Sequence, residues 1–177
     1  PRILEVTGGW AAAVEAVRWR LKAMPTLVVA DVARDLIDYV MTEVLPVLPP
    51  EQIRTLCRCS ILQTFPVSVA VAVSEDGAAA QVLDEIHRRT SLVTRFDDGT
   101  YRYHPILHEA LRQQLTRSEP ARWMELHARA GAAWLDEPDS YDALTNAADH
   151  LIEARSWSRV LELLRRRVRE LDMQGRI

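Results

Sequence analysis

The sequence predicts a mainly α-helical chain: a helical bundle over residues 1–62, a winged helix with a small β-hairpin over 63–117, and antiparallel helix pairs over 118–177. Three observations carry this. Apolar residues recur at three- and four-residue spacing over most of the chain. Between residues 92 and 103 two β-prone runs flank Asp97-Asp98-Gly99, a strong local hairpin signal. Prolines and polar clusters cut the helical pattern into short pieces.

Taken in order, Trp10, Val14, Val17, Leu21 and Met24 mark one face of a first helix that follows Thr7-Gly8-Gly9 and ends near Pro25. A second face reads Val32, Leu36, Val40, Val44 and Val47, with Asp31 as its expected cap and Pro46, Pro49 and Pro50 as its stop. A third helix from about Pro50 to Ser60 carries Ile53, Leu56, Cys57 and Ser60 on one side. A short apolar segment after Pro66, a turn at Ser74 to Gly77 and a helix with Val82, Leu83 and Ile86 precede the hairpin strands, Leu92 to Phe96 and Thr100 to Tyr103. Helix, turn, helix, hairpin is the order of a winged helix.

Beyond Leu115 three apolar stripes follow, broken at Ser118 to Pro120 and at Glu137 to Ser140. They are Trp123, Leu126, Ala130 and Trp134; Leu144, Ala147, Ala148 and Leu151; and Trp157, Val160, Leu161, Leu164 and Val168. Small alanines facing large rings resemble tetratricopeptide-like packing, the start of a helical-repeat arm. The tryptophans at 123, 134 and 157 are expected in the core because they fall on these stripes.

Charged residues make up 27% of the chain and its formal charge is only −3, so it lacks the basic excess of a nucleic-acid-binding domain. No apolar run reaches the roughly 18 residues needed to span a bilayer, and Pro1-Arg2-Ile3-Leu4 has no signal-peptide organisation. A cytoplasmic protein without a membrane partner is expected. Cys57 and Cys59, two apart on a helix, point away from each other and match no CxxC pair; both are expected to be partly buried thiols. The start at Pro1 and the finish at Ile177 point to a piece of a longer protein.

The most informative stretch is Tyr101 to Arg112, where a β-like run ends on His104 and Pro105 opens an amphipathic helix. Proline suits the first helical position, since its missing N–H would be unpaired there; His104 then falls at the N-cap. There it can meet a phosphate together with the helix N-terminus, or simply cap the helix and pack against the hairpin. His104 and His108 are four apart, but a zinc site needs a third ligand, and no metal is expected. Arg88 and Arg89 end the helix at the recognition position of a winged helix and are the candidates for DNA contact. Over residues 77–104, however, Arg88, Arg89, Arg95 and Arg102 are balanced by Asp84, Glu85, Asp97 and Asp98. Arg165-Arg166-Arg167 and Arg169 form a basic cluster, which such runs usually place on a solvated face. With no GxSxG elbow, no P-loop and no cysteine paired with a histidine, no catalytic residue is expected and the chain reads as a non-enzyme.

Thr7-Gly8-Gly9-Trp10 and Tyr103-His104-Pro105-Ile106-Leu107 together resemble elements of the signal-transduction ATPases with numerous domains, above all the large LuxR-type regulators related to the maltose-regulon activator. The first looks like the Gly-Gly-Trp element that opens a helical lid beside the nucleotide, the second like the winged-helix histidine motif; the Met-His-Asp motif of plant immune receptors is similar. Leu126-His127-Ala128-Arg129-Ala130, Ala133-Trp134, Ala143, His150, Ala154 and Trp157 are similar to the first helices beyond the winged helix. Ala11 stands where many relatives have Pro, and His108 where an apolar aromatic is common.

The resemblance implies that residues 1–62 are a lid, that Walker motifs lie in an upstream nucleotide-binding domain of the same chain, and that Gly9, Trp10 and His104 contact the nucleotide. ADP would lock a closed state through His104 and the β-phosphate; exchange to ATP would free the winged helix, with self-association to follow. ADP or ATP is the cofactor expected of the longer parent and none of the isolated fragment, and DNA is expected to be read by another domain. Two rivals remain: a winged helix that binds DNA directly, and a helical-repeat scaffold that holds a partner helix.

Overall fold

The computed structural model describes residues 29–138 and 140–173. Gly9, Trp10 and the expected first helix lie outside the described residues. The chain divides into two compact units, Pro1–Ser118 and Glu119–Ile177, and it is mainly α-helical with one small antiparallel sheet.

In the first unit, α1 (Val29–Tyr39) runs into a π-helical turn, Val40–Val44, and a 3-10 turn, Leu45–Val47. The Leu45 N–H reaches back to the Val40 carbonyl, an i→i+5 bond that inserts one residue into the helical repeat. The apolar face therefore changes phase. Leu36, Val40 and then Leu45 are buried, while Val44 is half-buried and Val47 is 77% exposed, so the evenly spaced stripe expected through Val47 ends at Val40. Asp31 lies inside the helix rather than at its cap.

After Pro49, α2 (Pro50–Cys59) starts with proline at its first position, where no N–H is needed. It packs against three further helices of the unit, α3 (Val67–Ser74), α4 (Ala79–Arg89) and α5 (Pro105–Ser118). Neighbours on several sides explain why Cys57 and Cys59 are both fully buried, not partly buried, although they point apart. Ile53 is only half-buried. The Cys59 thiol donates to the Ala70 carbonyl, and burial pushes its pKa up to about 12.

The hairpin forms as β2 (Val93–Arg95) and β3 (Thr100–Tyr103), with Val93 opposite Tyr103 and Arg95 opposite Tyr101. Gly99 sits at φ +82°, closing a turn in which its N–H donates to the Phe96 carbonyl. Asp98 accepts from the Thr100 hydroxyl and N–H, which holds its carboxyl below the ordinary range. A further strand that the sequence pattern does not announce, β1 (Thr64–Pro66), pairs with β3 and makes β3 the centre of the order β1-β3-β2. Pro66 is tolerated there because β1 is an edge. Phe65, Val93, Tyr101 and Tyr103 are buried in the core with Leu56, Leu83, Leu107 and Leu111. The Ser74 to Gly77 turn forms as expected, with Glu75 left-handed at φ 58°.

In the second unit a 3-10 turn, Pro120–Arg122, leads into α6 (Trp123–Asp136), α7 (Tyr141–Glu153) and α8 (Trp157–Met173). The Ser140 hydroxyl caps α7 by accepting from the Ala143 N–H at 3.1 Å. Leu126, Ala130, Trp134, Ala143, Ala147 and Leu151 are buried. The two helices meet closely at Gly131, where a Cβ would stand 2.6 Å from Leu151 Cγ. The third stripe is not core: Trp157 is 58% exposed, and Trp123 is only half-buried.

Candidate functional site

His104 stands between the central strand β3 and helix α5. Its N–H donates to the Leu92 carbonyl at 2.8 Å, extending the sheet by one bond, and its carbonyl accepts the first helical bond, from the His108 N–H at 2.9 Å. The imidazole is buried, with the residue 8% exposed, and its Nδ1 accepts from the Ile106 N–H at 3.2 Å. His104 is thus the N-cap of α5, with Pro105 and Ile106 at the first two helical positions.

This bond fixes the tautomer. A backbone N–H only donates, so Nδ1 is the bare nitrogen and the ring proton sits on Nε2. The same cap bond that orders the helix therefore gives His104 a donor at its far end.

His108, one turn on, has a different task. Its Nε2–H donates to the Ser60 carbonyl at 2.5 Å, and its ring stacks on Tyr103 with centroids 6.1 Å apart. Burial lowers its pKa, and the carbonyl bond partly offsets that. Tyr103 in turn sits 5.5 Å from the Phe65 ring and donates to the Leu56 carbonyl at 3.4 Å. Thus β1, β3 and α2 all brace the strand end that carries His104.

The candidate DNA-contact residues lie at the C-terminal end of α4. Arg89 pairs with Glu85 at 3.1 Å, and Arg88 Nε donates to the Asp84 carbonyl. Asp84 also accepts from the Tyr101 hydroxyl at 2.6 Å and pairs with Arg95 at 3.2 Å. Burial and this carboxylate push the Tyr101 phenol up to about 12. Much of the local positive charge is thus directed at internal carboxylates. An open cleft of about 380 Å³ between α2 and α4, lined by residues including Gln52, Thr55, Arg58, Asp76, Gln81 and Glu85, does not include His104.

Sequence reasoning missed a second histidine pair. In the α6–α7 seam, His127 and His150, 23 residues apart, bond Nδ1 to Nδ1 at 2.9 Å, with ring centroids 4.9 Å apart. The Trp123 ring lies 4.7 Å from that of His127. One Nδ1 must carry its proton and the other must accept, so the bond requires opposite tautomers. Burial lowers His150 to about 4, with Asp149 acting in the opposite direction. In the sequence both histidines stood out only within the family resemblance, and nothing in their spacing joined them into a pair.

Among the described residues no helix is long and apolar enough to cross a membrane, and no group of three or more His, Cys, Asp or Glu is placed to hold a metal.

Residues 41–123 match the profile of the MalT winged helix domain. HTH-type transcriptional regulators MalT from Yersinia pestis (strain Pestoides F) and Yersinia pseudotuberculosis serotype O:1b (strain IP 31758) are each 29% identical to this chain over 105 residues. The protein of the same description from Yersinia enterocolitica serotype O:8 / biotype 1B matches at the same identity. In each case the match covers 58% of this chain and 12% of the relative, so the chain spans a small part of these proteins. From Met41 to Trp123, then, the chain carries a winged helix domain similar to that of MalT-type transcriptional regulators.

Proposed function

We propose that this chain is the regulatory part of a nucleotide-controlled transcriptional regulator of the large LuxR type, in which the winged helix senses ADP. The observation that carries the reading is the cap bond from Ile106 N–H to His104 Nδ1, which leaves the ring proton on Nε2. A neutral imidazole held in that tautomer suits a phosphate oxygen, which only accepts. The phosphate would be presented by an upstream nucleotide-binding domain of the same protein, with Gly9 and Trp10 beside the nucleotide.

A hydrogen bond to a charged phosphate is worth about 1.5–3 kcal/mol, or about tenfold or more in affinity. A ligand shifts a conformational equilibrium only by its differential affinity for the two states. A bond made to ADP in the closed state and lost on exchange to ATP meets that requirement; release of the winged helix would then permit self-association. DNA would be read by another domain, and the carboxylate partners of Arg89 and Arg95 weigh against direct reading by α4.

The test is calorimetry of ADP binding to a longer form that includes the nucleotide-binding domain. His104→Asn keeps a capping acceptor but removes the imidazole donor, so a loss of about tenfold or more is expected. Unchanged ADP affinity would make His104 a structural cap only. Salt-sensitive duplex binding by the present chain, lost in the Arg88→Ala/Arg89→Ala double variant, would move the function to DNA contact.

A further inference from the structure

We infer that Thr90 is a positioning residue for His104, so that the end of α4 sets how well the imidazole meets a phosphate; the inference rests on the nucleotide-sensing reading of that histidine. By the register that pairs Val93 with Tyr103, Leu92 stands opposite His104 as the last rung between β2 and β3. An ordinary antiparallel rung of this kind exchanges two backbone bonds. Here the His104 N–H donates to the Leu92 carbonyl at 2.8 Å, but the His104 carbonyl accepts instead from the His108 N–H at 2.9 Å. Helix α5 has claimed the acceptor that the Leu92 N–H would use.

Thr90 supplies the substitute. It leaves α4 in an extended conformation, and its hydroxyl accepts from the Leu92 N–H at 3.1 Å. The same hydroxyl donates to the Ile86 carbonyl at 2.8 Å, beside the Thr90 N–H at 2.9 Å. Leu92 is 2% exposed, so its N–H needs a protein acceptor. One oxygen thus ties the last turn of α4 to the residue that holds the His104 backbone. His87, exposed on the same turn, adds a second hold: its Nδ1–H donates to the Val93 carbonyl at 3.0 Å, on the outer edge of β2. The ties matter because the cap bond from the Ile106 N–H to His104 Nδ1 is long, at 3.2 Å. A small shift of the His104 backbone breaks it and lets the ring turn from the setting in which it presents its Nε2–H.

The experiment compares Thr90→Val, which keeps the side chain's shape and removes the hydroxyl, with Thr90→Ser, which keeps the hydroxyl. In the present chain, amide hydrogen exchange by NMR should show Ile106 exchanging at least about tenfold faster in Thr90→Val. Leu111, buried inside α5, should keep its protection, and Thr90→Ser should match the wild type. In the longer form with the nucleotide-binding domain, calorimetry should find ADP bound at least about threefold more weakly by Thr90→Val and normally by Thr90→Ser. A ring correctly aimed in about a third of the molecules lowers affinity by about that factor. Unchanged exchange at Ile106 would overturn the inference, and so would equal loss of protection at Ile106 and Leu111, the mark of a threonine that only supports the fold. Should Thr90→Val unfold, His87→Ala carries the test at an exposed position: faster exchange at Ile106 and weaker ADP binding are expected, and wild-type behaviour in either would overturn the inference. The two readings fail separately. ADP affinity unchanged in Thr90→Val but lost in His104→Asn removes Thr90 from the site and leaves the sensor. ADP affinity unchanged in His104→Asn removes the sensor itself, and with it the role given to Thr90.

Discussion

The two histidine pairs solve the same physical problem in opposite ways. In the first unit His104 and His108 each bond to backbone: one accepts from the Ile106 N–H, the other donates to the Ser60 carbonyl. In the second unit His127 and His150 bond to each other. A side chain tied to a backbone group has its tautomer set by a partner that cannot titrate. A side chain tied to its own kind has a partner that can. In the first arrangement the partner of each ring is indifferent to pH; in the second, protonating both rings would remove the acceptor that their bond requires.

Acid should expose this contrast with the largest effect. The folded-state pKa of His150 is about 4 against 6.5 for a free imidazole, so between those values the unfolded chain binds the extra proton. The stabilisation from a neutral His150 is complete above about pH 6.5 and is lost as pH falls toward 4. Integrated over that interval the loss approaches about 3 kcal/mol. His108 is lowered as well and acts with the same sign, but carbonyl bonds offset its burial, whereas at His150 only Asp149 does so. Hydrogen exchange followed by mass spectrometry between pH 7 and 4.5 should find α6 and α7 losing protection before the sheet does. His150→Gln should flatten the dependence; simultaneous loss in both units would break the comparison.

Removing His108 tests the backbone-tied pair. His108→Ala deletes a stacked, half-buried ring and leaves the Ser60 carbonyl without that donor, at a cost of about 2 kcal/mol at pH 7 in denaturant unfolding. A cost near zero would mean that α5 is held without it. Gly131→Ala sharpens the other side, because its Cβ would meet Leu151 Cγ at 2.6 Å and the Ala147 carbonyl at 3.2 Å. Forcing the seam apart should cost about 1–2 kcal/mol and lengthen the bond between the histidines, visible as a rise in the His150 pKa by NMR titration. The smallest effect is expected at the cap. His104→Ala should cost about 1 kcal/mol and His104→Asn only a few tenths, measured by thermal unfolding of the present chain.

Local features were readable in the sequence and non-local ones were not. Asp98-Gly99 announced the hairpin because the turn stores its own geometry, and Pro105 announced the cap because proline tolerates so few helical positions. Strand β1 was invisible: three residues ending in proline carry no alternation, and their strand character comes from pairing with β3, more than thirty residues away. The burial of both cysteines likewise required knowing that α2 is surrounded. Trp157 was expected in a core that the described residues do not supply, since an apolar stripe specifies a partner without saying which one. His127 and His150 were singled out only as part of a resemblance; their bond exists because two helices bring positions 23 apart into one seam.

The π-helical turn at Val40–Val44 acts as a vernier between α1 and the winged helix. By absorbing one extra residue it lets Leu36 and Val40 keep one angular setting while Leu45 takes another, so both ends meet apolar cover. Deleting a single residue such as Thr42 would relax the turn to ordinary α-helix and rotate α1 by about 100° about the helix axis relative to the winged helix. Angular setting, rather than length, is the quantity this segment transmits, and a one-residue change there would re-aim α1 without touching a core side chain.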